Sequence, residues 1–453
     1  MSFADSLVAL ASGELPPAVL ARANVLLKDH VGVTIGGAPA DSSVAVRRAL
    51  GGLGATGRAT VVGATDRFPP PHAALANGAA AHALEMDDTH QGGSIHLGVS
   101  VFPAALAAAE LSPATGERVL RAAIAGYEAA ARLAMALRPA AHYRRGFHPT
   151  GTCGAFGAAT AAALVLGLDV DGVAAALGIA GSQAAGSMEF LTDGTWTKRL
   201  HPGWAACAGV HAAALARAGF RAPTTIVEGR FGFLHAYSDE ADVDALAVGG
   251  EPEIMRTAIK PHACCRYMQG PIDAALALRA RGRGIEAIER IEVGMLDAGF
   301  AIVCEPADAK RRPASVVDAQ FSLPFGVALA LVRGVAGPDD FAPDAWNDHR
   351  VRALMDRVVA VRDPALDARF PREWPCWVRV VSANGTIDEA RVDHPRGDPE
   401  NFPSASELDG KFRSLAGRVL TAAAIDRLED ALDRFSSSGS VRALLDAAVP
   451  TVT

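Results

Sequence analysis

Gly154-Ala155-Phe156-Gly157-Ala158-Ala159-Thr160-Ala161-Ala162-Ala163-Leu164-Val165-Leu166 reads as one helix of small residues, with Gly167 placed to close it. Alanine has the highest helix propensity, and its short side chain lets neighbouring helices approach closely. The same texture recurs on both sides, over Ala21 to His30, Ala73 to Met86, Phe102 to Leu111, Gly116 to Leu137, Val170 to Gly186 and Ala205 to Ala218. Ser112-Pro113 and Asp169 to Asp171 occupy helix-opening positions, and Gly219 is a second C-cap glycine. The first 260 or so residues therefore predict a large all-helical body.

After about Pro271 the texture changes. Arg290-Ile291-Glu292-Val293-Gly294-Met295 alternates like a strand, and Trp377 to Ser382 and Thr386 to Val392 alternate more clearly still. Asn384-Gly385, a pair favoured in tight hairpin turns, lies between the last two. From Ser404 to Ala448 apolar residues return at helical spacing, among them Leu408, Leu415, Leu428 and Leu432. The expected fold class is mainly α. A large helical domain forms from both chain ends, 1–268 and 401–453, with a smaller α+β domain, 269–400, inserted between them.

Composition narrows the function classes. The chain has 453 residues, a net charge of −7, 50% hydrophobic and 21% charged residues. That is long enough for a sizeable core and too apolar for disorder. A mildly acidic balance opposes sequence-independent nucleic-acid binding, which needs a basic field. Mean hydropathy is +0.18, but no charge-free apolar run reaches spanning length. The alanine-rich stretch from Val101 is interrupted by Glu110, Glu117 and Arg118. The start, Met1-Ser2-Phe3-Ala4-Asp5, lacks the basic and apolar parts of a secretory signal. Six cysteines in so long a chain do not make a disulfide framework. A soluble cytoplasmic protein, off the membrane, is the expectation.

Polar residues gather at four places in this alanine-rich background. The first is Glu85-Met86-Asp87-Asp88-Thr89-His90, followed by Gly92-Gly93-Ser94-Ile95-His96. It reads either as a site at a helix–loop junction or as a solvated helix end. It lacks a demanding metal spacing, so no metal is expected. The second is Arg144-Arg145-Gly146-Phe147-His148-Pro149. His148 is either an acid/base or a structural loop histidine. The third is Thr195-Trp196-Thr197-Lys198-Arg199-Leu200-His201-Pro202-Gly203, just before an alanine-rich helix. Its cations suit a substrate carboxylate, and a buried Lys198 suits proton transfer; an ordinary basic loop is the alternative. The fourth is Lys260-Pro261-His262-Ala263-Cys264-Cys265-Arg266-Tyr267. Adjacent cysteines have the wrong spacing for zinc ribbons, thioredoxin chemistry or iron–sulfur ligation. Lys260 and Arg266 remain candidates for anion binding.

These segments, in this order, resemble the MmgE/PrpD family, which includes 2-methylcitrate dehydratase, cis-aconitate decarboxylase and iminodisuccinate epimerase. Carrying the resemblance are Asn77-Gly78, His82-Ala83-Leu84-Glu85-Met86-Asp87-Asp88-Thr89-His90, Pro103-Ala104-Ala105 with Glu110, and Gly126-Tyr127-Glu128. Further on come Gly146-Phe147-His148, Gly154, Lys198-Arg199-Leu200-His201-Pro202-Gly203 and Phe321-Ser322-Leu323-Pro324-Phe325. The resemblance covers most of the chain. It implies a helical domain built from both ends, an inserted α+β lid domain, and a cleft between the two that takes small di- or tricarboxylates. It also implies a homodimer that works without a cofactor.

Carried over by position, Asp88 and Thr89 match the family's Asp-Asp-Thr element. His96 matches the histidine after it, with His90 as a rival. His148 and Lys198 match the active-site histidine and lysine, and Lys260 a lysine before the lid. Glu85 stands where some decarboxylating members carry aspartate, Phe325 where they carry tyrosine, and Cys264-Cys265 in a region where they have histidine. These departures count against cis-aconitate decarboxylation, unless Tyr267 supplies the missing proton donor.

The expected activity is a cofactor-independent lyase or isomerase that removes a proton next to a carboxylate, dehydration leading. An epimerase or racemase, a decarboxylase and a non-catalytic carboxylate-binding protein are the alternatives. His148 and Lys198 are the acid/base pair, with Asp88 orienting or acting as base and His96 beside them. Thr89, His90, Arg144, Arg145, Arg199, His201, Lys260 and Tyr267 bind the substrate or its developing negative charge.

Overall fold

The computed structural model describes residues 2–282, 284–437 and 439–451. Helices dominate it, and the chain divides into two compact units. The first unit takes the chain up to Met188, Trp196–Thr257 and the part from Ser404 onward. The second takes Glu189–Thr195 and Ala258–Pro403.

Seven helices form the frame of the first unit: α1 (Pro17–Gly37), α2 (Pro70–Ala81), α3 (Gly98–Leu111), α4 (Gly116–Ala136), α5 (Pro149–Val165), α6 (Val170–Gly181) and α7 (Thr197–Arg217). At the centre, α5 buries every side chain except Leu164, as a helix apolar on all sides must. It packs on α3, α4, α6 and α7, while α2 packs on α3 and α7. Gly167 and Gly219 adopt left-handed φ values of 83° and 85° just past helix ends, a conformation that costs glycine nothing.

Two helix starts differ from the sequence expectation. Ser112 is the C-cap of α3, and the N-cap of α4 is Thr115, whose hydroxyl accepts from the Arg118 amide at 3.2 Å. Helix α7 starts eight residues before Ala205, so Lys198, Arg199 and His201 lie in its opening turns and not in a preceding loop. Pro202 hid this start. It has no N–H for the Lys198 carbonyl and reads as a breaker. The packed helix absorbs that single lost bond, as α3 does at Pro103.

The crossing of α2 and α7 leaves no room for side chains. A Cβ on Gly203 would lie 2.3 Å from the Leu75 carbonyl oxygen and 2.9 Å from the Ala79 nitrogen. A Cβ on Gly78 would lie 2.7 Å from the Gly203 Cα. Both obstacles are backbone, so the helices would have to separate. Gly203→Ala is expected to cost about 1–3 kcal/mol, read as a lower urea midpoint. An unchanged midpoint would show the crossing to be slack.

In the second unit, four strands form a sheet in the order β2-β1-β3-β4: β1 is Ile288–Met295, β2 Val358–Arg362, β3 Cys376–Ser382 and β4 Ile387–Val392. β1 runs parallel to β2 and antiparallel to β3, and β3 is antiparallel to β4. The Ser382 amide donates to the Thr386 carbonyl at 2.9 Å, closing a turn of three residues between them. Gly385 donates to the Ser382 carbonyl at 2.8 Å, and of Asn384 and Gly385 only the glycine is left-handed, at φ 80°. That is a turn followed by a glycine bulge, where the Asn-Gly pair pointed to a two-residue turn.

Candidate active site

The chain between α2 and α3 turns sharply twice on residues other than glycine. Glu85 and Ser94 have φ values of 56° and 47°, a conformation that persists only where surrounding contacts hold it. This contorted segment carries His82, Glu85, Asp87, Asp88 and His96, all buried. Opposite them lie Lys198, on the first turn of α7, and His148, at the N-cap of α5.

One carboxylate oxygen organises the histidines. Asp87 Oδ2 lies 2.9 Å from His82 Nδ1 and 2.8 Å from His96 Nδ1. His96 Nδ1 is also 2.9 Å from the Asp88 main-chain oxygen. Carboxylate and carbonyl oxygens only accept, so both rings carry their proton on Nδ1 and their lone pair on Nε2. At His82 that lone pair receives the Lys198 ammonium at 3.0 Å. The same ammonium makes a short ion pair with Glu85. His148 Nδ1 lies 3.0 Å from His201 Nδ1, so one of the two rings donates and the other accepts.

Burial acts on these groups more strongly than any charge. It lowers His82 and His201 to about 4 and His148 well below the usual imidazole range, the nearby Lys198 ammonium adding to the effect. All three are neutral near pH 7, as a proton acceptor must be. The ring centroids of His82, His96 and His148 are 4.7, 6.0 and 6.3 Å apart pairwise. One ring nitrogen of each lies within 4.8 Å of the others, which makes this trio one of two groups among the described residues able to hold a metal ion.

Asp88 sits differently from the expectation. Its Oδ2 accepts from the Tyr127 hydroxyl at 2.5 Å, and its Oδ1 from the Gly98 amide at 3.0 Å. Only its main-chain oxygen meets His96. Burial pushes its carboxyl up to about 7, against the Tyr127 hydrogen bond. A raised acid favours folding below the unfolded value of 3.8 and loses that contribution as pH rises through about 7. Relative to Asp88→Asn, the native protein should therefore lose stability between pH 4 and 7, by up to about 1.4 kcal/mol per pH unit. Parallel urea-stability profiles for the two proteins would contradict this.

Thr89 is buried, and its hydroxyl has no hydrogen-bond partner among the described residues. His90 is committed to Glu253 through Nε2 at 2.9 Å and to the Gly93 amide through Nδ1 at 3.1 Å. Arg199 is buried and reaches the Ser42 hydroxyl at 3.4 Å. Arg144 and Arg145 are not brought to the cluster. Arg144 makes an exposed pair with Glu240, and Arg145 donates to the Ala236 carbonyl at 3.0 Å on the surface. Lys260 and Tyr267 belong to the second unit, both buried, with the Tyr267 ring stacked on Trp374 at 4.4 Å.

The model of the MmgE/PrpD N-terminal domain matches residues 1–246, and that of the MmgE/PrpD C-terminal domain matches residues 262–434. The chain belongs to the MmgE/PrpD family. Among its relatives is the cis-aconitate decarboxylase-like protein oryM of Aspergillus oryzae, 29% identical over 96% of this chain and 94% of that protein. The cis-aconitate decarboxylase of Aspergillus terreus is 28% identical over 97% and 94%. That of Mus musculus is 26% identical over 94% and 88%. These relatives are decarboxylases of cis-aconitate or named for likeness to one, and the chain shares their family on a mainly helical fold. No described helix is long and apolar enough to cross a membrane.

The sequence marks the segment of Glu85 and Asp87 as a candidate site but gives the roles to Asp88, Thr89, His90 and His96, with none for His82, Glu85 or Asp87. A signal existed: two acids and a histidine at the end of an alanine helix that needs none of them. Nothing in the spacing said which of the adjacent aspartates faces the histidines.

Proposed function

We propose that this MmgE/PrpD protein is a cofactor-independent lyase of the dehydratase type, acting on a small di- or tricarboxylate. What carries the reading is the single carboxylate oxygen of Asp87 on both His82 and His96, next to the Lys198 ammonium. Elimination needs a base and an acid in opposite protonation states, side by side. His96, its Nδ1 proton held by Asp87, offers Nε2 as the base. The Lys198 ammonium is the acid. As His96 takes the proton next to a carboxylate, that C–H electron pair becomes the new double bond. The C–O bond breaks, and the leaving hydroxide takes a proton to depart as water. His148, coupled to His201, is the second imidazole pair. Arg199 and the Thr89 hydroxyl are suited to the substrate's carboxylates.

Decarboxylation is the second reading, and the relatives favour it, since those described above are cis-aconitate decarboxylases or named for likeness to one. It needs only the acid: the carboxylate leaves as CO₂, and the electron pair left behind is protonated on carbon. Proton NMR of the chelator-treated protein in D₂O separates the two. 2-Methylcitrate, citrate, cis-aconitate, iminodisuccinate and malate would be offered in turn. Water-loss olefins support dehydration, and loss of a carboxylate with deuterium at carbon supports decarboxylation. Exchange without net product would instead indicate an epimerase. Binding with neither product nor exchange would remove the enzymatic reading in favour of a carboxylate-binding protein. A homodimer, cytoplasmic and working on free metabolites, completes the proposal.

A further inference from the structure

We propose that His82, His96 and His148 form a binding site for a divalent transition-metal ion of the zinc class, and that an ion held there stops the proton chemistry of the site. The three rings are buried and come from three separate places: the end of α2, the segment before α3, and the N-cap of α5. One nitrogen of each lies within 4.8 Å of the others. Zinc–nitrogen bonds of about 2.0–2.1 Å require donors about 3.4 Å apart, so the rings would have to draw together on binding.

The surroundings carry the inference further than the distances do. Metal-bound histidines nearly always donate their other N–H to a carboxylate or carbonyl, which fixes the tautomer. Here Asp87 Oδ2 already takes the Nδ1 protons of His82 and His96, and the Asp88 carbonyl takes that of His96 as well. His148 Nδ1 lies 3.0 Å from His201 Nδ1, so its proton is held there when His201 accepts. At His82 and His96 this leaves the lone pair on Nε2, the nitrogen open to a metal. Three imidazoles with no hard oxygen donor in the trio select zinc, copper or nickel over magnesium or calcium.

Lys198 decides what the ion does. Its ammonium already occupies the His82 lone pair at 3.0 Å, so ion and ammonium compete for one electron pair and repel each other. A bound ion takes His82 from Lys198 and caps the lone pair of His96. It is an inhibitor and not a helper. That second half rests on the acid–base reading above; the binding half does not.

The test is calorimetric titration of the chelator-treated, full-length protein with Zn²⁺. One tight ion per chain is expected. Asp87→Asn, which keeps shape and removes the supporting charge, should weaken binding about 10- to 100-fold. Lys198→Met should tighten it about ten-fold or more, because a repelling charge and a competitor are gone. His394→Ala should change nothing. It probes the other described cluster, His394, Asp398 and Glu400, in which Asp398 is already engaged by Arg266. Absence of stoichiometric binding, or binding that survives both His96→Ala and His148→Ala, would overturn the site. Unchanged or weaker binding in Lys198→Met would overturn the competition. Deuterium exchange without Zn²⁺ tests the acid–base reading separately, so the two can fail independently.

Discussion

Lys198→Met is expected to cut turnover by about 10²- to 10⁴-fold and to destabilise the protein by about 3–5 kcal/mol. Both effects have one origin. The Lys198 ammonium is buried between Glu85, with which it pairs, and His82 Nε2 at 3.0 Å. Methionine fills the volume but supplies neither proton nor charge. The reaction loses its acid, and Glu85 keeps a carboxylate buried without its ammonium. Glu85 cannot easily turn away, because its left-handed backbone is fixed by the loop around it. Breaking one side of a buried pair costs far more than removing both. The double variant Lys198→Met/Glu85→Gln should therefore regain most of the lost stability and none of the lost turnover. Urea unfolding and the NMR assay read the two quantities separately. A single variant as stable as the native protein would show that the pair contributes nothing to folding. A double variant that turns over normally would remove Lys198 from the chemistry.

The helical frame was legible in the sequence because it depends on local properties. Runs such as Gly154 to Leu166 have one good solution, and glycines such as Gly167 and Gly219 mark helix ends by a conformation that other residues avoid. Strand alternation around Val293 and Val378 was legible for the same reason. The start of α7 was not, because Pro202 is locally unfavourable and only packing against α2 and α5 outweighs it. The site was legible as a set of segments and not as a geometry. His148, Lys198 and His96 do converge. The choice between Asp87 and Asp88 depends on left-handed turns at Glu85 and Ser94, which no propensity scale assigns to those residues. Arg144 and Arg145 are close to His148 in sequence, but the α5 N-cap turns His148 inward while they reach outward to Glu240 and Ala236.

Asp87→Asn should lower turnover about 10²- to 10⁴-fold while leaving the fold intact, since the amide has the carboxylate's shape. The loss comes through the histidines. Asp87 Oδ2 receives two Nδ1–H bonds, and its charge stabilises whichever imidazole gains a proton. If the asparagine presents its oxygen to the rings, the tautomers survive but the stabilising charge is gone. If it presents its NH₂, at least one ring must move its proton to Nε2, and the lone pair no longer faces the site. A serine-protease triad responds to the same substitution with a loss of about 10⁴-fold. The informative comparison is with His96→Ala. Groups that act as one unit are strongly non-additive. If Asp87 works mainly by orienting and charging His96, the double variant should be about as slow as His96→Ala alone. A double variant slower by the full product of the two single losses would mean that the carboxylate acts mainly elsewhere, on His82 and through it on Lys198. That outcome would leave His96 as the base and tie the contribution of Asp87 to the His82–Lys198 pair.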